Sequence, residues 1–329
     1  MSQFENRLNL TEFQTSIQAL QQEISKVIIG QKSLIDLLIV ALFSNGHVLI
    51  EGVPGIAKTL TAKLIAKCIS THFSRIQFTP DLMPSDVLGT SIFNFQSSSF
   101  EFKKGPIFSN LILIDEINRA PAKTQSALFE VMEERQITID GQQYLMTAPF
   151  MVLATQNPIE QEGTYRLPEA QLDRFLFKIV VDYPSLEEET SIIERFHSEQ
   201  MANPTKRVEA IISADQLAAF KNLLKDIRLE RTLLEYIAQI VHQTRKHKDL
   251  YLGASPRASL ALLQSSKTWA AMQGRDFVTP EDIQYLATSV LRHRIILSPE
   301  KEMEGGRPKE VIHKLFKVLR YRDNGEQQI

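Results

Sequence analysis

The segment Gly52-Val53-Pro54-Gly55-Ile56-Ala57-Lys58-Thr59 decides how the rest of this chain is interpreted. The short apolar run 47–51 precedes it, and the stretch 60–69, with helical spacing, follows it. A strand, a glycine-rich turn and a helix in this order are typical of a phosphate-binding loop, where backbone N–H groups at a helix N-terminus hold phosphate oxygens. The usual pattern has a second glycine where Ala57 stands, and alanine should be tolerated there if its φ is negative. The alternative is an ordinary strand-to-helix turn with an incidental Lys-Thr pair.

Two side chains of this segment have specific chemistry toward a nucleotide. Lys58 can reach the β- and γ-phosphates, and the Thr59 hydroxyl can coordinate Mg²⁺. We therefore predict ATP and Mg²⁺ as cofactors. The residues predicted to line the nucleotide are Gly52, Val53, Pro54, Gly55, Ile56, Ala57, Lys58, Thr59 and Leu60.

A second apolar run, Leu111–Ile114, ends in two adjacent carboxylates, Asp115 and Glu116. A phosphate-binding-loop ATPase needs one carboxylate that holds Mg²⁺, here Asp115 through water, and one general base, here Glu116. Taken alone, the pattern also fits a strand end with a solvated turn. Its position downstream of Lys58, at the end of another strand, favours the catalytic interpretation.

A third strand, Phe150–Ala154, is followed by Thr155-Gln156-Asn157-Pro158. A polar amide at the tip of a strand beside the nucleotide can orient the attacking water against the γ-phosphate. Asn157 is the candidate for this role and Gln156 the second choice. An ordinary Asn-Pro turn is the alternative interpretation.

Three arginines are candidates for contacts with the phosphates. An arginine from a neighbouring subunit can neutralise charge that develops on the transferred phosphoryl group, and Arg174 or Arg166 could supply it. We prefer Arg174, because its neighbours in sequence could fix its base while the guanidinium points outward. Arg257 lies in the first turn of a helix capped by Ser255, from which it could reach the phosphates. Taken alone, Arg174 would more often be a surface salt-bridge partner, and Arg257 fits equally well a helix-start arginine without a ligand.

Further short apolar runs, separated by helical segments, argue for a parallel sheet covered on both faces. Two alternating segments, 91–102 and 136–145, predict hairpins, the second around an Asp-Gly turn. After Pro184 the pattern becomes helical. We predict an α/β fold with an αβα core and a parallel sheet over residues 1–184, including N-terminal helices, and a small all-α domain with a tail over residues 185–329.

Composition narrows the class of protein. The 329 residues carry a formal net charge of -2, which gives no general attraction to nucleic acid, so a nucleic-acid partner is unlikely. The single cysteine, Cys68, cannot form an internal disulfide. Without a visible signal peptide or an apolar stretch long enough to span a membrane, we expect a cytoplasmic protein.

The residues resemble the MoxR branch of the AAA+ ATPases. The resemblance runs from Ile28 to Arg294, and it rests on four segments: GVPGIAKT (52–59), LILIDEINRAPAKTQSALFEVMEERQITIDG (111–141), ATQNPIEQEGTYRLPEAQLDRF (154–175) and GASPRA (253–258). Ala57, which departs from the general loop pattern, is what this branch commonly has.

The resemblance implies a nucleotide-binding core with a helical lid, assembled into a ring that is usually hexameric. It implies that Arg174 is the arginine finger, Asn157 the sensor-1 residue and Arg257 the sensor-2 residue, and that Gly30 and Gln31 contact adenine. Both hairpins would face the pore and act on a protein client. The family is linked to chaperone-like maturation of protein complexes, including metal-centre insertion, and its partners often carry a von Willebrand factor A domain.

Three hypotheses follow from these patterns. The first is an ATP-driven remodeller of protein complexes. The second is a nucleotide-gated assembly or scaffold module in which hydrolysis is slow. The third is a nucleic-acid motor of related fold, which the slightly acidic balance and the lack of an added DNA-binding domain disfavour.

Overall fold

The computed structural model describes residues 8–53, 55–157, 164–199 and 204–318. The chain forms two compact units. We call Ser16–Phe175 together with Ile179–Ala219 the sheet unit. We call the described residues 8–15, 176–178 and 220–318 the helical unit. The predicted division after residue 184 stays a prediction of domain boundaries.

A parallel five-stranded sheet organises the sheet unit, and two antiparallel hairpins accompany it. The order in the five-stranded sheet is β2-β5-β8-β1-β9. The strands are β1 (Val48–Gly52), β2 (Phe73–Gln77), β3 (Gly89–Asn94), β4 (Ser99–Lys104), β5 (Leu111–Asp115), β6 (Gln136–Ile139), β7 (Gln142–Leu145), β8 (Met151–Gln156) and β9 (Phe177–Val181).

The middle of the sheet is buried on both faces. Ile112 and Ile114 of β5 belong to one apolar cluster with Leu128, whereas the alternate residues Leu111 and Leu113, on the opposite face, are equally buried. Because successive side chains of a strand point to opposite faces, the continuous apolar run predicted from the sequence requires cover on both sides. Each such side chain contributes about 1.5–3 kcal/mol by leaving water.

Helices alternate with these strands. α2 is buried along nearly its whole length, as its apolar sequence predicts, and α5 places Leu128, Phe129 and Met132 in the core. The helices up to residue 199 are α1 (Thr11–Ser25), α2 (Lys32–Phe43), α3 (Lys58–Cys68), α4 (Pro84–Leu88), α5 (Ala122–Glu134), α6 (Glu169–Leu172) and α7 (Leu186–Glu199).

Both predicted hairpins form, β3 with β4 and β6 with β7. Asp140 and Gly141 connect β6 to β7 with φ values of 51° and 77°. Positive φ at both central residues is the signature of the type I′ turn that the Asp-Gly pair predicts.

The helical unit is built around α10, which packs on both α9 and α11. This agrees with the predicted helical second domain, to which the structure adds a short antiparallel pair, β10 with β11. Strands of two or three residues leave no recognisable period in a sequence. The elements from residue 214 onward are α8 (Ala214–Leu223), α9 (Arg231–Thr244), β10 (Leu250–Leu252), α10 (Pro256–Met272), α11 (Pro280–Leu291), β11 (Ile296–Leu297), α12 (Pro299–Met303) and α13 (Pro308–Val318).

Among the described residues, no helix combines the length and the apolar character that crossing a membrane requires.

Candidate functional site

Three neighbouring strands of the sheet end at the candidate site. β8 lies between β5 and β1, and the pairs on both sides are parallel. Parallel strands end at the same edge of a sheet, and ligands of open α/β sheets bind there. The phosphate-loop segment, the Asp115–Glu116 pair and Asn157 therefore meet at one edge, as the sequence predicts.

The loop between β1 and α3 is tightly constrained at its start. A side chain on Gly52 would come within 2.8 Å of the Val181 carbonyl oxygen and 2.7 Å of the Ile56 Cδ1 atom. Gly55 has a φ of 86°, and no atom lies within 4 Å of the position that its Cβ would take. Thr59 and Leu60 follow in the first turn of α3. The structure does not describe Pro54, which the sequence also assigns to this loop.

Ala57 adopts a conformation that the sequence did not predict. It is the N-cap of α3 with φ 58° and ψ 20°, in the left-handed region. The condition under which alanine would be tolerated without strain, a negative φ, is therefore not met. The position retains the backbone geometry for which glycine is favoured, and alanine bears roughly 1–2 kcal/mol of local strain there.

Lys58 begins α3 and points back across the loop. Its Nζ donates a hydrogen bond of 2.6 Å to the Gly52 carbonyl oxygen. Burial lowers the pKa of the Lys58 ammonium, while the negative charges of Asp115 and Glu116 act in the opposite direction. The Lys58 ammonium is therefore close enough to interact electrostatically with both carboxylates.

The segment before α2 contacts this loop directly. The Gln31 side chain donates from Nε2 to the Ile56 carbonyl oxygen at 2.9 Å. Gly30 has a φ of 68°, and a Cβ there would lie 2.2 Å from the Glu188 carboxylate oxygen. The structure thus brings Gly30 and Gln31 beside the phosphate loop, and it adds Glu188, which sequence reasoning missed.

Asp115 is buried at the end of β5, and both of its oxygens are bonded. Oδ2 accepts from Arg75 Nε at 2.6 Å, and Oδ1 accepts from the Thr155 hydroxyl at 3.2 Å. Arg75 lies on β2, the strand next to β5. Neither partner stands out in the sequence, because only the strand order makes them neighbours.

Glu116 follows with a left-handed backbone, φ 57°. Its Oε2 accepts from Gln77 Nε2 at 3.0 Å and lies 2.8 Å from Arg119 Nε. The Glu116 amide donates to the Thr155 hydroxyl oxygen at 3.1 Å. Thr155 therefore ties the two carboxylate residues to β8, and Gln77 and Arg119 hold the carboxylate of the predicted general base.

Asn157 comes directly after β8 and is partly buried. Gln156, the second choice for the same role, is the last residue of β8 and pairs in register with Glu51 of β1. The strand order therefore places the predicted amide between the phosphate loop and the carboxylate pair.

The two arginines of the segment 164–175 differ in their surroundings. Arg174 Nη1 lies 2.8 Å from Glu133 Oε2 and donates to the Phe129 carbonyl oxygen at 3.3 Å, so its guanidinium folds back onto α5. The expectation of an outward-pointing guanidinium was therefore wrong. Arg166 has 86 % of its side chain exposed and lies 3.5 Å from Glu169. The roles of both toward a neighbouring subunit stay predictions.

Arg257 belongs to the helical unit and lies in the first turn of α10. Its amide donates to the Ser255 hydroxyl oxygen at 3.1 Å, which confirms the predicted cap. The preceding loop is fixed to the end of α9, because Thr244 Oγ1 accepts from the Ala254 amide at 2.9 Å. The role of Arg257 toward the phosphates stays a prediction.

Comparison with known proteins agrees with this arrangement. Residues 47–177 match the family described as "ATPase family associated with various cellular activities (AAA)", and residues 242–315 match the "AAA lid domain". The first match covers β1 to β8 with the phosphate loop and the carboxylate pair, and the second covers most of the helical unit.

Relatives extend the similarity to nearly the whole chain. The uncharacterized protein YeaC of Bacillus subtilis is 44% identical over 91% of this chain and 92% of its own length. Chaperone MoxR1 of Mycobacterium tuberculosis is 44% identical over 90% of this chain and 80% of its own length. A crystal structure from Cytophaga hutchinsonii, described as an ATPase candidate, has a TM-score of 0.88 and 42% identity, and the match covers 94% of this chain and 96% of that one. The phosphate-loop site, the carboxylate pair and these relatives together lead to one conclusion: the chain belongs to the MoxR family of AAA+ ATPases, and it binds and hydrolyses ATP.

Proposed function

We propose that this protein couples ATP binding and hydrolysis to chaperone-like remodelling or maturation of protein complexes. The observation that carries the proposal is the convergence of Lys58, Asp115, Glu116 and Asn157 at one edge of the sheet. These residues supply what phosphoryl transfer to water requires: charge for the phosphates, a base and an orienting amide.

Each residue has a distinct proposed role. The backbone N–H groups of residues 52, 53 and 55–60 and the Lys58 ammonium hold the phosphates, and the Gly30–Gln31 segment contacts the base. Glu116 takes the proton from the attacking water, which Asn157 orients. General-base catalysis of this kind contributes on the order of 10²–10⁴ in rate.

The residues present also fit a magnesium ion. Carboxylate and hydroxyl oxygens, here those of Asp115 and Thr59, are the ligands that Mg²⁺ prefers. Asp115 already bonds a cation of the chain itself, the Arg75 guanidinium. When bound, Mg²⁺ would neutralise charge on the phosphates, and Asp115 and Thr59 would hold it.

Assembly into a ring, most simply a hexamer, would complete the site from neighbouring protomers. AAA+ proteins commonly form such rings, and Arg174, or Arg166 in its place, would contribute a guanidinium to the adjacent site. The ion pair with Glu133 holds Arg174 within its own chain, so this role requires exchange of that partner. Arg257 would report the nucleotide state to the helical unit.

The β3–β4 hairpin is a candidate contact for a protein client. Phe95 and Phe100 are 87% and 73% exposed, and each packs edge-to-face against Phe93 at 5.3 Å between ring centroids. Exposed aromatic side chains of this kind mark interaction surfaces. Within this proposal, the remodelling activity could be insertion of a metal centre into a client protein. The partner protein would then carry a von Willebrand factor A domain.

A second candidate function, a nucleotide-gated scaffold with slow hydrolysis, is favoured by one observation. The Glu116 carboxylate is held by Gln77 and Arg119, so it must exchange these partners before it can contact an attacking water. The function of ATP binding would then be to control assembly of the protein, and ATP hydrolysis would be slow.

Sedimentation of the full chain and steady-state ATP turnover, each measured with and without Mg-ATP, separate the two functions. The remodeller predicts sustained turnover, and a Glu116→Gln variant that co-purifies with protein partners in ATP. Nucleotide-dependent assembly without appreciable turnover would favour the scaffold. If Glu116→Gln co-purified with no protein other than itself, this result would argue against remodelling of a client.

A further inference from the structure

Arg75 places a fixed positive charge on the carboxylate that we assign to Mg²⁺. Its Nε lies 2.6 Å from Asp115 Oδ2, within hydrogen-bonding distance as well as ion-pairing distance. The contact therefore joins a positively charged guanidinium directly to the carboxylate. Any second cation at Asp115 must share the carboxylate with Arg75 or displace it.

The sheet explains why Arg75 reaches this carboxylate. Within the described part of the chain, β2 is an edge strand that pairs in parallel with β5, in the register Arg75 with Leu113 and Gln77 with Asp115. Residues two apart on a strand share a face, so Arg75 and Gln77 project on the same side of β2. Arg75 contacts Asp115 there, and Gln77 contacts Glu116.

Orientation of Asp115 does not require Arg75. The Thr155 hydroxyl, buried in the middle of the sheet, already bonds Oδ1 and also accepts from the Glu116 amide. The Arg75 side chain, by contrast, is 50% exposed and can move into solvent. Arg75 therefore forms a direct ion pair with Asp115 and is still free to leave it.

We propose that Arg75 competes with Mg²⁺ for Asp115 and thereby weakens the magnesium-dependent part of nucleotide binding. This inference rests on the proposed function, in which Asp115 holds the ion. Two cations that share one carboxylate repel each other, and each receives less of its negative charge than it would alone. Binding of Mg-nucleotide would therefore release Arg75 and make the edge strand β2 sensitive to the occupied site.

The experiment uses the full chain and a fluorescent ADP, whose dissociation constant is measured in excess Mg²⁺ and in EDTA. Arg75→Gln removes the charge and keeps a polar side chain. Arg75→Lys keeps the charge. Lys63→Gln, an exposed position on α3, serves as the matched control for loss of one positive charge. Thermal unfolding of each variant confirms that the fold is retained.

With Mg²⁺ present, Arg75→Gln should bind the probe roughly two- to fivefold more tightly than wild type, the range for a solvent-screened ion pair. In EDTA it should show no tightening, and Arg75→Lys and Lys63→Gln should stay near wild type in both conditions. Weaker binding of Arg75→Gln in both conditions would mean that Arg75 binds the nucleotide. Unchanged binding, or equal tightening by Lys and Gln, would also overturn the competition.

Measurements on the wild type and on Asp115→Asn distinguish a failure of this inference from a failure of the proposed function. If nucleotide binding by wild type does not depend on Mg²⁺, or if Asp115→Asn keeps the dependence, the assignment of Asp115 itself fails. If both behave as proposed and Arg75→Gln does not tighten binding, only the inference about Arg75 fails.

Discussion

Ala57 illustrates how a single residue can match a family pattern and still carry local strain. Its left-handed φ of 58° sits at the start of α3, where the phosphate loop requires a turn that glycine adopts freely. An L-residue places its Cβ close to the following carbonyl in this region. The alanine therefore reduces stability slightly at a position where the backbone geometry is fixed by function.

Replacing Ala57 with glycine should relieve this strain and stabilise the sheet unit by about 0.5–1 kcal/mol. Cys68 offers a local readout, because this buried thiol lies in α3 and reacts only when the surrounding structure opens. The rate of its labelling in moderate denaturant should fall in Ala57→Gly. Ala62→Gly, in the interior of the same helix, is the control and should speed labelling. If Cys68 were labelled faster in Ala57→Gly than in wild type, Ala57 would not be a source of strain.

His47 should make the free energy of unfolding depend on pH. Its Nε2 lies 3.1 Å from the Met132 carbonyl oxygen and its Nδ1 accepts from the Val152 amide at 2.9 Å. Burial, together with the positive charge of Arg135, lowers the pKa of His47 to about 4. The unfolded chain, with a histidine pKa of about 6.5, therefore binds the proton first as pH falls.

The contribution of His47 is complete above about pH 6.5 and is lost as pH falls toward 4, by up to about 3 kcal/mol. Urea denaturation followed by circular dichroism between pH 4.5 and 7.5 measures this loss. His47→Gln cannot titrate, so its stability should be lower at pH 7.5 but fall less steeply with acid. Parallel pH profiles for the two proteins would rule out this origin of the dependence.

At the scale of elements, the start of α11 depends on one buried carboxylate. Asp282 accepts two hydrogen bonds from the Arg275 guanidinium, at 2.8 and 2.6 Å, and one from the Thr279 amide at 2.8 Å. The Asp282 side chain is almost fully buried, so its removal leaves a largely enclosed arginine without its counter-ion.

Asp282→Ala should lower the stability of the helical unit by about 3 kcal/mol. The single tryptophan reports on this unit, because Trp269 of α10 stacks on Tyr285 of α11 with 4.3 Å between ring centroids. Its fluorescence in urea should show a much lower midpoint for Asp282→Ala. Glu281→Ala, exposed at the neighbouring position, should change stability by no more than about 0.5 kcal/mol. Similar midpoints for the two variants would refute the role of Asp282.

How much of the fold the sequence predicts depends on the kind of element. β5 and β8 are recognisable because both faces are buried, which produces continuous apolar runs. The β6–β7 turn is recognisable because Asp140-Gly141 accepts positive φ at both positions. β10 and β11 are not recognisable, since two or three residues have no period.

The residues of the candidate site also differ in whether the sequence alone identifies them. Lys58, Asp115 and Glu116 stand at strand ends and could be identified from local pattern. Arg75 and Gln77 could not, because their contacts with the carboxylates depend on β2 lying next to β5, and strand order is a property of the whole sheet. The left-handed φ of Ala57 could not be predicted from its residue type, because alanine stands where glycine, which favours such a φ, is usual.

At the scale of the whole molecule, shared sites should make ATP turnover depend on protomer concentration. If Arg174 of one subunit acts in the site of the next, the rate per subunit of wild type should rise with concentration as rings assemble. Arg174→Ala should stay slow at every concentration, with a loss on the order of 10³-fold, while it still binds ATP. Arg166→Ala is the comparison. Loss of turnover in Arg166→Ala alone would transfer the role to that residue.

We propose that ATP is hydrolysed at this edge of the sheet with Glu116 as the general base. The most direct test of this proposal is steady-state phosphate release by wild type, Glu116→Gln and the exposed control Glu130→Gln, with ATP affinity measured in parallel. We expect Glu116→Gln to lose at least about 10²-fold in rate while its affinity stays close to that of wild type, and Glu130→Gln to be unaffected. Hydrolysis by Glu116→Gln at the wild-type rate would contradict the account.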